Sequence, residues 1–383
     1  MLNSIQNLKR YARLTMKAIL RASLRMTPFI PIKKNKILFF AGMRGYTCSP
    51  KYIAEYLNTN YPGKYELCWI GKDPEEVKDY PYIKYVKFSP FPLFYALASS
   101  KVFVTNGENA ICPKSKRRLI LCTWHGVPYK KIGYASADKF ALVDMKHSAI
   151  DVFISASQEY TDKVIKGSFH YDGEVLNSGY PRNDIFLNEK ACRAAGRKIR
   201  EHYNIKGTSI LFAPTYRGTY QTGEKIDFKL DFKAFEKAVK EKFGDKATIL
   251  VRMHYFDKNQ YDLPETIVDV GDWPDMQEIM CAADILITDY SSTIWDFALT
   301  GRPCLLYLSD LEMYKSNRGL YSDPNTWPGI ECRSMDELCD ALQDLDEQKC
   351  QEMAKTYLEK MGSFENGTAS QKACERLISF IEK

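Results

Sequence analysis

His125 is the residue with the clearest chemical context, in the segment CTWHGVPYKKIG at residues 122–133. The apolar run before it predicts a strand that ends at about Thr123, so the imidazole would stand at a strand tip. Histidine titrates near neutral pH and can take a proton from an acceptor hydroxyl. Gly126 permits tight backbone geometry beside it, and Lys130 is placed to meet phosphate. The pattern favours a catalytic histidine, with a structural strand-end histidine as the alternative.

A second polar motif, GYPRND at residues 179–184, presents a guanidinium group. Pro181 stiffens the loop, and Arg182 could donate two hydrogen bonds to an anion. Asn183 and Asp184 could begin the following helix. We interpret Arg182 as a phosphate contact, with a plain turn and helix cap as the alternative.

Two further polar pairs follow apolar strands in the second half of the chain. Thr215 and Arg217 belong to the motif APTYR and offer a hydroxyl and a guanidinium at a strand tip. Arg252 and His254 end the next strand, and the alternation of a strand sends both side chains to one side. Such groups suit a pyrophosphate or a leaving phosphate. Structural pairing of each residue is the alternative.

The motif ITDYSSTIWD at residues 287–296 places three hydroxyls where a helix should begin, on Ser291, Ser292 and Thr293. Backbone N–H groups and small hydroxyls at a helix N-terminus form an anion site. Ordinary capping would explain one hydroxyl but not three. Asp289 and Asp296 could orient this loop or hold ligand hydroxyls.

The elements that must position these motifs repeat a β/α pattern. Short apolar runs alternate with helical stretches from Lys36 onward, which predicts parallel sheets with crossover helices. A polar, helix-forming stretch at 187–206 separates two such halves. We therefore predict an α/β protein with two Rossmann-like domains, at residues 31–190 and 191–383, facing each other across a cleft. Ligands of parallel α/β domains bind beyond the carboxyl ends of the strands, and the motifs fall at those positions.

A basic lead segment precedes the first domain. Nine basic residues and no acidic residue occur in the first 36 positions. On a helical projection Arg13, Lys17, Arg21 and Arg25 line one side, opposite apolar residues. We predict that residues 1–30 form an amphipathic helix on an anionic membrane surface. A helix packed on the protein with its basic face in water is the alternative.

The composition of the chain narrows the classes of protein to which it could belong. The net charge of +6 is mild, whereas a nucleic-acid binder usually has dense basic stripes. The eleven cysteines show no C-x-x-C spacing and suit small buried hydrophobes in a reducing cytosol. The sequence has no GxxxxGK[ST] loop, GxGxxG fingerprint or H-E-x-x-H pair. We predict neither a metal nor a cofactor.

Taken in order, seven motifs resemble the CDP-glycerol glycerophosphotransferases of teichoic-acid synthesis. The resemblance covers about residues 100–380 and rests on WHGVPYKKIG, GYPRND, APTYR, RMH, DWPDMQEIMCAADILITDYSSTIWDF, RGLY and ENGTAS. It implies a glycosyltransferase-B fold, with an acceptor domain at 31–190 and a CDP-donor domain at 191–383. The length is similar to that of priming enzymes or short polymerases of the family.

The resemblance also implies roles for the candidate residues. His125 is similar to the acceptor-activating base, and His254 to a second essential histidine near the donor phosphates, assisted by Arg252. The residues expected to cradle the donor are Thr215, Arg217, Ser291, Ser292 and Thr293, with Asp289 supporting the loop. The remaining expected contacts to acceptor or phosphate come from Gly126, Lys130 and Arg182.

The function implied by the resemblance is phosphotransfer. Glycerol phosphate or ribitol phosphate would move from CDP-glycerol or CDP-ribitol to a hydroxyl of an undecaprenyl-diphosphate-linked glycan, releasing CMP at the cytoplasmic face of the membrane. The two donors present similar hydroxyls, so the choice between them stays open. The alternatives are a nucleotide-sugar 2-epimerase, a sugar transferase of the same fold and a non-catalytic glycan-binding protein.

Overall fold

The computed structural model describes residues 30–42, 45–107, 112, 114–136, 145, 148–215, 231–253 and 263–383. The predicted lead helix at residues 1–30 therefore lies outside the described residues, except for Ile30. His254 and Arg217 also lie outside them.

Two parallel sheets organise the described chain. The first has the strand order β3-β2-β1-β4-β5-β6-β7. Its strands are β1 (Lys33–Phe40), β2 (Glu66–Gly71), β3 (Ile83–Lys87), β4 (Ser100–Thr105), β5 (Leu119–Cys122), β6 (Val152–Ser155) and β7 (Glu174–Asn177). The order reverses direction between β1 and β4, which is the position where Rossmann-like sheets open a ligand crevice.

The second sheet repeats this topology with the order β10-β9-β8-β11-β12-β13. Its strands are β8 (Ser209–Phe212), β9 (Thr248–Val251), β10 (Val268–Asp269), β11 (Ile285–Thr288), β12 (Cys304–Tyr307) and β13 (Ile330–Cys332). Here the order reverses between β8 and β11. The prediction of two parallel Rossmann-like sheets in a glycosyltransferase-B fold is confirmed.

The helices connect and cover the strands. In chain order they are α1 (Cys48–Asn60), α2 (Pro90–Ser99), α3 (Gln158–Tyr160, continued by a π-helix at Thr161–Ser168), α4 (Asp184–Leu187), α5 (Glu189–His202), α6 (Phe232–Phe243), α7 (Met276–Ala282), α8 (Thr293–Ala298), α9 (Leu311–Arg318), α10 (Met335–Gln343), α11 (Glu347–Lys360) and α12 (Ala369–Ile381). The predicted helical stretch at 187–206 is mainly α5.

Central strands were predictable because both of their faces are covered. Every residue of β6, β8, β11 and β12 is buried, and strands of this kind read as continuous apolar runs. Three strands at sheet edges, β3, β7 and β13, lack such a continuous apolar run. An edge strand is partly exposed and carries mixed polar residues, which removes that signal.

The two sheets are joined by contacts that are distant in sequence. Lys51 on α1 is buried. Its ammonium lies 2.7 Å from the carboxylate of Asp275, the residue before α7, and 2.5 Å from that of Glu278, on α7. At the end of the chain, the Asp184 carboxylate accepts hydrogen bonds from the first N–H groups of α12. Helix α12 thereby packs against α1 of the first sheet.

No helix within the described part of the chain combines the length and the apolar content needed to cross a bilayer.

Candidate active site

His125 lies on the loop that directly follows β5, and its side chain is exposed. Its Nδ1 atom is 3.0 Å from the carbonyl oxygen of Asn106. This contact favours the tautomer with the proton on Nδ1, which puts the lone pair on Nε2. The buried ring of Trp124 packs beside the imidazole, with ring centroids 4.3 Å apart. These two contacts fix the orientation of the imidazole, and its role as a base stays a prediction.

The backbone around His125 is held in an unusual shape. Trp124 has φ 53° and Gly126 has φ 135°. A large residue at positive φ is strained and persists only where its surroundings hold it. Here the burial of the Trp124 ring supplies that restraint, so the fold fixes the loop that carries the imidazole.

Gly126 is one of the points where the two halves of the protein touch. A Cβ atom added there would lie 2.4 Å from Ser292 Oγ and 2.9 Å from Arg182 Nη2. Because such distances are far below van der Waals contact, only glycine fits at this position. The loop that carries His125 and the loop that carries Ser292 therefore face each other, with the backbone of Gly126 packed against Ser292.

The three hydroxyls at the start of α8 are not all used in capping. The Thr293 N–H donates to Ser291 Oγ at 3.3 Å, whereas the side chain of Ser292, the N-cap residue, makes no capping hydrogen bond. Thr293 Oγ1 is buried and has no hydrogen-bond partner among the described residues. The cluster thus keeps hydroxyl groups beyond those that a cap uses, and their contact with the donor stays a prediction.

Asp289 ties two strand tips together at the point where the second sheet reverses direction. Its carboxylate accepts from the Thr215 N–H at 3.0 Å, after β8, and from the Tyr290 N–H at 2.6 Å, after β11. Asp289 is itself buried. The structure therefore brings Thr215 and the hydroxyl loop to one site, with Asp289 supporting both.

Arg182 crosses between the halves and is buried. Its Nη2 atom lies 2.6 Å from Asp296 Oδ2 on α8, and its Nη1 atom donates to the carbonyl oxygen of His125 at 2.9 Å. Asp296 also accepts from Gln277 at 3.2 Å. The guanidinium thus holds the His125 loop against α8 in this structure, and its contact with phosphate stays a prediction.

Arg252 and Lys130 each hold backbone near the site. Arg252 Nη1 donates to the carbonyl oxygens of Val270 and Trp273 at 3.1 and 2.6 Å. Lys130 forms an antiparallel bridge with Leu320, which joins the HGVPYKK segment to the RGLY segment. Their contacts with substrate stay predictions.

Glu365, in the ENGTAS segment, is a residue to which sequence reasoning gave no role. Its carboxylate accepts from the Tyr180 N–H, from Asn183 Nδ2 at 2.9 Å and from Trp295 Nε1 at 3.2 Å. A Cβ added to Gly179 would lie 2.4 Å from Glu365 Oε2. The carboxylate therefore clamps the GYPRND loop to α8. The only sequence signal for Glu365 was the ENGTAS motif itself, because the partners of its carboxylate lie about 70 and 185 residues away along the chain.

The Glu365 clamp predicts a pH-dependent stability. Burial raises the pKa of this carboxyl from 4.5 to about 8. Between those values the folded chain holds one more proton than the unfolded chain, so the free energy of unfolding falls as the pH rises. The contribution of this group has a slope of at most about 1.4 kcal/mol per pH unit. Glu365→Gln should flatten the pH dependence of urea unfolding over this window.

The exposed Glu352 on α11 provides the control for this measurement, and Glu352→Gln should leave the slope unchanged. If wild type and Glu365→Gln give parallel pH profiles, Glu365 ionises normally in the folded protein.

Within the described ranges, no three His, Cys, Asp or Glu side chains lie together in a way that could hold a metal ion.

The sequence matches a known family. The sequence profile of the CDP-glycerol:poly(glycerophosphate) glycerophosphotransferase family matches residues 22–379. The chain belongs to this family. The sequence prediction of a glycerophosphotransferase is thereby confirmed.

Relatives of this transferase act in teichoic-acid synthesis. A teichoic acid poly(glycerol phosphate) polymerase of Bacillus spizizenii is 28% identical over 90% of this chain and 93% of its own. A teichoic acid glycerol-phosphate transferase of Staphylococcus aureus is 29% identical over 91% and 94%. Other curated polymerases are longer, and the chain spans about half of their length.

A solved structure shares the whole architecture of the transferase. It is a variant of the wall teichoic acid polymerase TagF, with a TM-score of 0.81 and 27% identity, over 100% of this chain and 99% of that one. The likeness covers both sheets.

Proposed function

We propose that this protein transfers glycerol phosphate from CDP-glycerol to a hydroxyl of a lipid-linked glycan, in the synthesis of teichoic acid or a related cell-surface polymer. CMP is the second product. The contact between Gly126 and Ser292 carries the proposal, because it sets an oriented base opposite a hydroxyl-lined strand tip. Family membership supplies the class of donor.

In the proposed step the acceptor hydroxyl attacks the β-phosphorus of CDP-glycerol in line. His125 Nε2 takes the hydroxyl proton as the new P–O bond forms. The bond between the β-phosphorus and the bridging oxygen breaks, and that oxygen leaves on CMP. Holding both reactants in one crevice removes most of the entropic part of the barrier.

The donor side of the crevice is proposed to stabilise the developing negative charge. Thr215, Ser291, Ser292 and Thr293 would offer hydroxyl and N–H donors, with Asp289 fixing their positions. Arg217, Arg252 and His254 are proposed to meet the phosphates. Groups of this kind act best when they are preorganised around the charge that develops in the transition state.

We place the reaction at the cytoplasmic face of the membrane, with the protein bound peripherally to an anionic surface and an undecaprenyl-diphosphate-linked glycan as the acceptor. A donor screen tests the proposal. The full-length protein is incubated with a lipid-linked disaccharide and with CDP-glycerol, CDP-ribitol or a UDP-hexosamine, and CMP or an epimer is measured.

We expect CMP release from CDP-glycerol that depends on the acceptor. CMP release from CDP-ribitol alone would move the assignment to a ribitol-phosphate transferase. An epimerised UDP-hexosamine with no CMP from either donor would overturn the proposal.

A further inference from the structure

Cys192 differs from most other cysteines of the chain in its surroundings. The structure describes all eleven cysteines, and only Cys192 and Cys339 among them are not buried. Cys192 is the fourth residue of α5. The N-terminal end of a helix carries partial positive charge, which favours a thiolate over a thiol. Cys192 therefore combines partial exposure to solvent with a local field that favours its anion.

A guanidinium group faces the Cys192 thiol. Arg302 follows α8, and its Nη2 atom lies 4.0 Å from Cys192 Sγ. Its Nη1 atom donates to the backbone carbonyl oxygens of Cys281, at 3.3 Å, and Ala283. No acidic side chain in the described ranges lies within ion-pair distance of Arg302. Its positive charge is therefore held in place by backbone oxygens, without a carboxylate to neutralise it, beside a sulfur atom.

A second thiol lies next to Cys192 and belongs to Cys281, near the end of α7. Helices α5 and α7 pack closely at Gly196, one turn after Cys192, because a Cβ atom added there would lie 2.7 Å from the Cys281 carbonyl oxygen. The Cys281 thiol donates a hydrogen bond to Cys192 Sγ. The packing of the two helices thus brings together two cysteines that are distant in sequence.

The two thiols differ in acidity. The hydrogen bond from Cys281 and the charge of Arg302 outweigh burial and lower the pKa of Cys192 to about 7. The same hydrogen bond, together with burial, raises the pKa of Cys281. Burial and neighbouring aspartates on α10 raise the pKa of Cys339. At neutral pH, Cys192 is therefore a partly exposed thiolate beside a protonated thiol.

We propose that Cys192 is a modification site for hydroperoxides, and that Cys281 converts the oxidised Cys192 into a disulfide that joins α5 to α7. In the first step the Cys192 thiolate attacks one oxygen of hydrogen peroxide. The O–O bond breaks, water leaves with a proton from solvent, and a sulfenic acid remains on Cys192.

In the second step the Cys281 sulfur attacks the Cys192 sulfur. The S–S bond forms, the S–O bond breaks, and the hydroxyl leaves as water with the Cys281 proton. Two thiols thereby lose two electrons to one peroxide molecule, which becomes two water molecules. A reducing dithiol reverses the change by thiol–disulfide exchange.

The place of this pair in the fold gives the disulfide a structural consequence. Redox-sensing cysteines are typically accessible thiolates with a resolving cysteine beside them. Helix α5 follows the GYPRND loop of the first half, and α7 carries Glu278, the partner of Lys51 on α1. The bond would therefore cross-link two helices at the connection between the two sheets. The inference goes beyond the transferase reaction and does not depend on its donor or acceptor.

Alkylation tests the reactivity of Cys192. The reduced full-length protein is treated with limiting iodoacetamide at pH 7, and peptide mass spectrometry follows each cysteine over time. About half of Cys192 is ionised at this pH, against about one in a hundred or less for Cys339. The lower basicity of Cys192 costs it about tenfold in intrinsic nucleophilicity. We expect Cys192 to react about fivefold faster than Cys339 or more, and an equal or slower rate would refute the inference.

Hydrogen peroxide tests the disulfide. After peroxide treatment and blocking of the remaining thiols, digestion without reductant should yield a cross-linked peptide pair that contains Cys192 and Cys281, and dithiothreitol should separate it. Cys281→Ser should instead leave a sulfenic acid on Cys192 that dimedone captures. Cys339→Ser is the matched control and should form the same disulfide as wild type. A wild-type protein that shows no such pair, whether its Cys192 stays a thiol or accumulates as sulfinic acid, would overturn the proposal.

Discussion

His125→Ala should lower kcat for CMP release by about 10²- to 10⁴-fold, the usual contribution of a general base. The imidazole is oriented by the Asn106 carbonyl and is exposed, so its removal leaves no buried cavity. Binding of CDP-glycerol should change little, because the donor is proposed to lie on the opposite wall. Steady-state kinetics and equilibrium binding of the donor measure the two effects.

The exposed His202 at the end of α5 gives a matched control. His202→Ala should keep wild-type turnover. A His125→Ala protein that retains more than about a tenth of the wild-type rate would contradict the assignment of His125 as base.

Asp296→Ala should destabilise the protein by about 3–5 kcal/mol, because it leaves the Arg182 guanidinium buried without its charge partner. The pair is 2.6 Å long, and both side chains are almost fully buried. Urea unfolding measures the loss. Turnover should fall as well, since the same guanidinium holds the carbonyl of His125.

An exposed pair of similar length calibrates this result. Arg376 and Glu174 lie 2.7 Å apart with partly exposed side chains, so Glu174→Ala should cost about 0–1 kcal/mol. A similar, small loss for Asp296→Ala would show that Arg182 is solvated or paired elsewhere.

A double variant separates stability from positioning. Arg182→Met with Asp296→Ala removes both charges, so it should be less destabilised than the sum of the two single variants. Its turnover should stay low, because His125 has still lost the donor to its carbonyl. Recovery of turnover together with stability would mean that Arg182 contributes only to folding.

The local sequence was enough to predict most of the secondary structure and the positions of the motifs. Central strands such as β11 appear as apolar runs because both of their faces are covered, and polar motifs begin where those runs end. This is why His125, Thr215 and the hydroxyls around Ser292 could be placed at strand tips. Edge strands such as β3 lacked a continuous apolar run because they are partly exposed to water.

The distances between motifs were decided by the tertiary structure. Arg182 looked like an anion donor in a loop, but packing placed it 2.6 Å from Asp296, 114 residues away in sequence. The local sequence gave no sign of a role for Glu365. Its carboxylate holds the GYPRND loop against α8 because α12 returns to the first sheet. A strand-end motif depends on hydrophobic patterning within about ten residues, whereas an ion pair across a crevice depends on how two sheets pack. Thus the sequence determined which groups stand at strand tips, and only the packing of the sheets decided which of them meet.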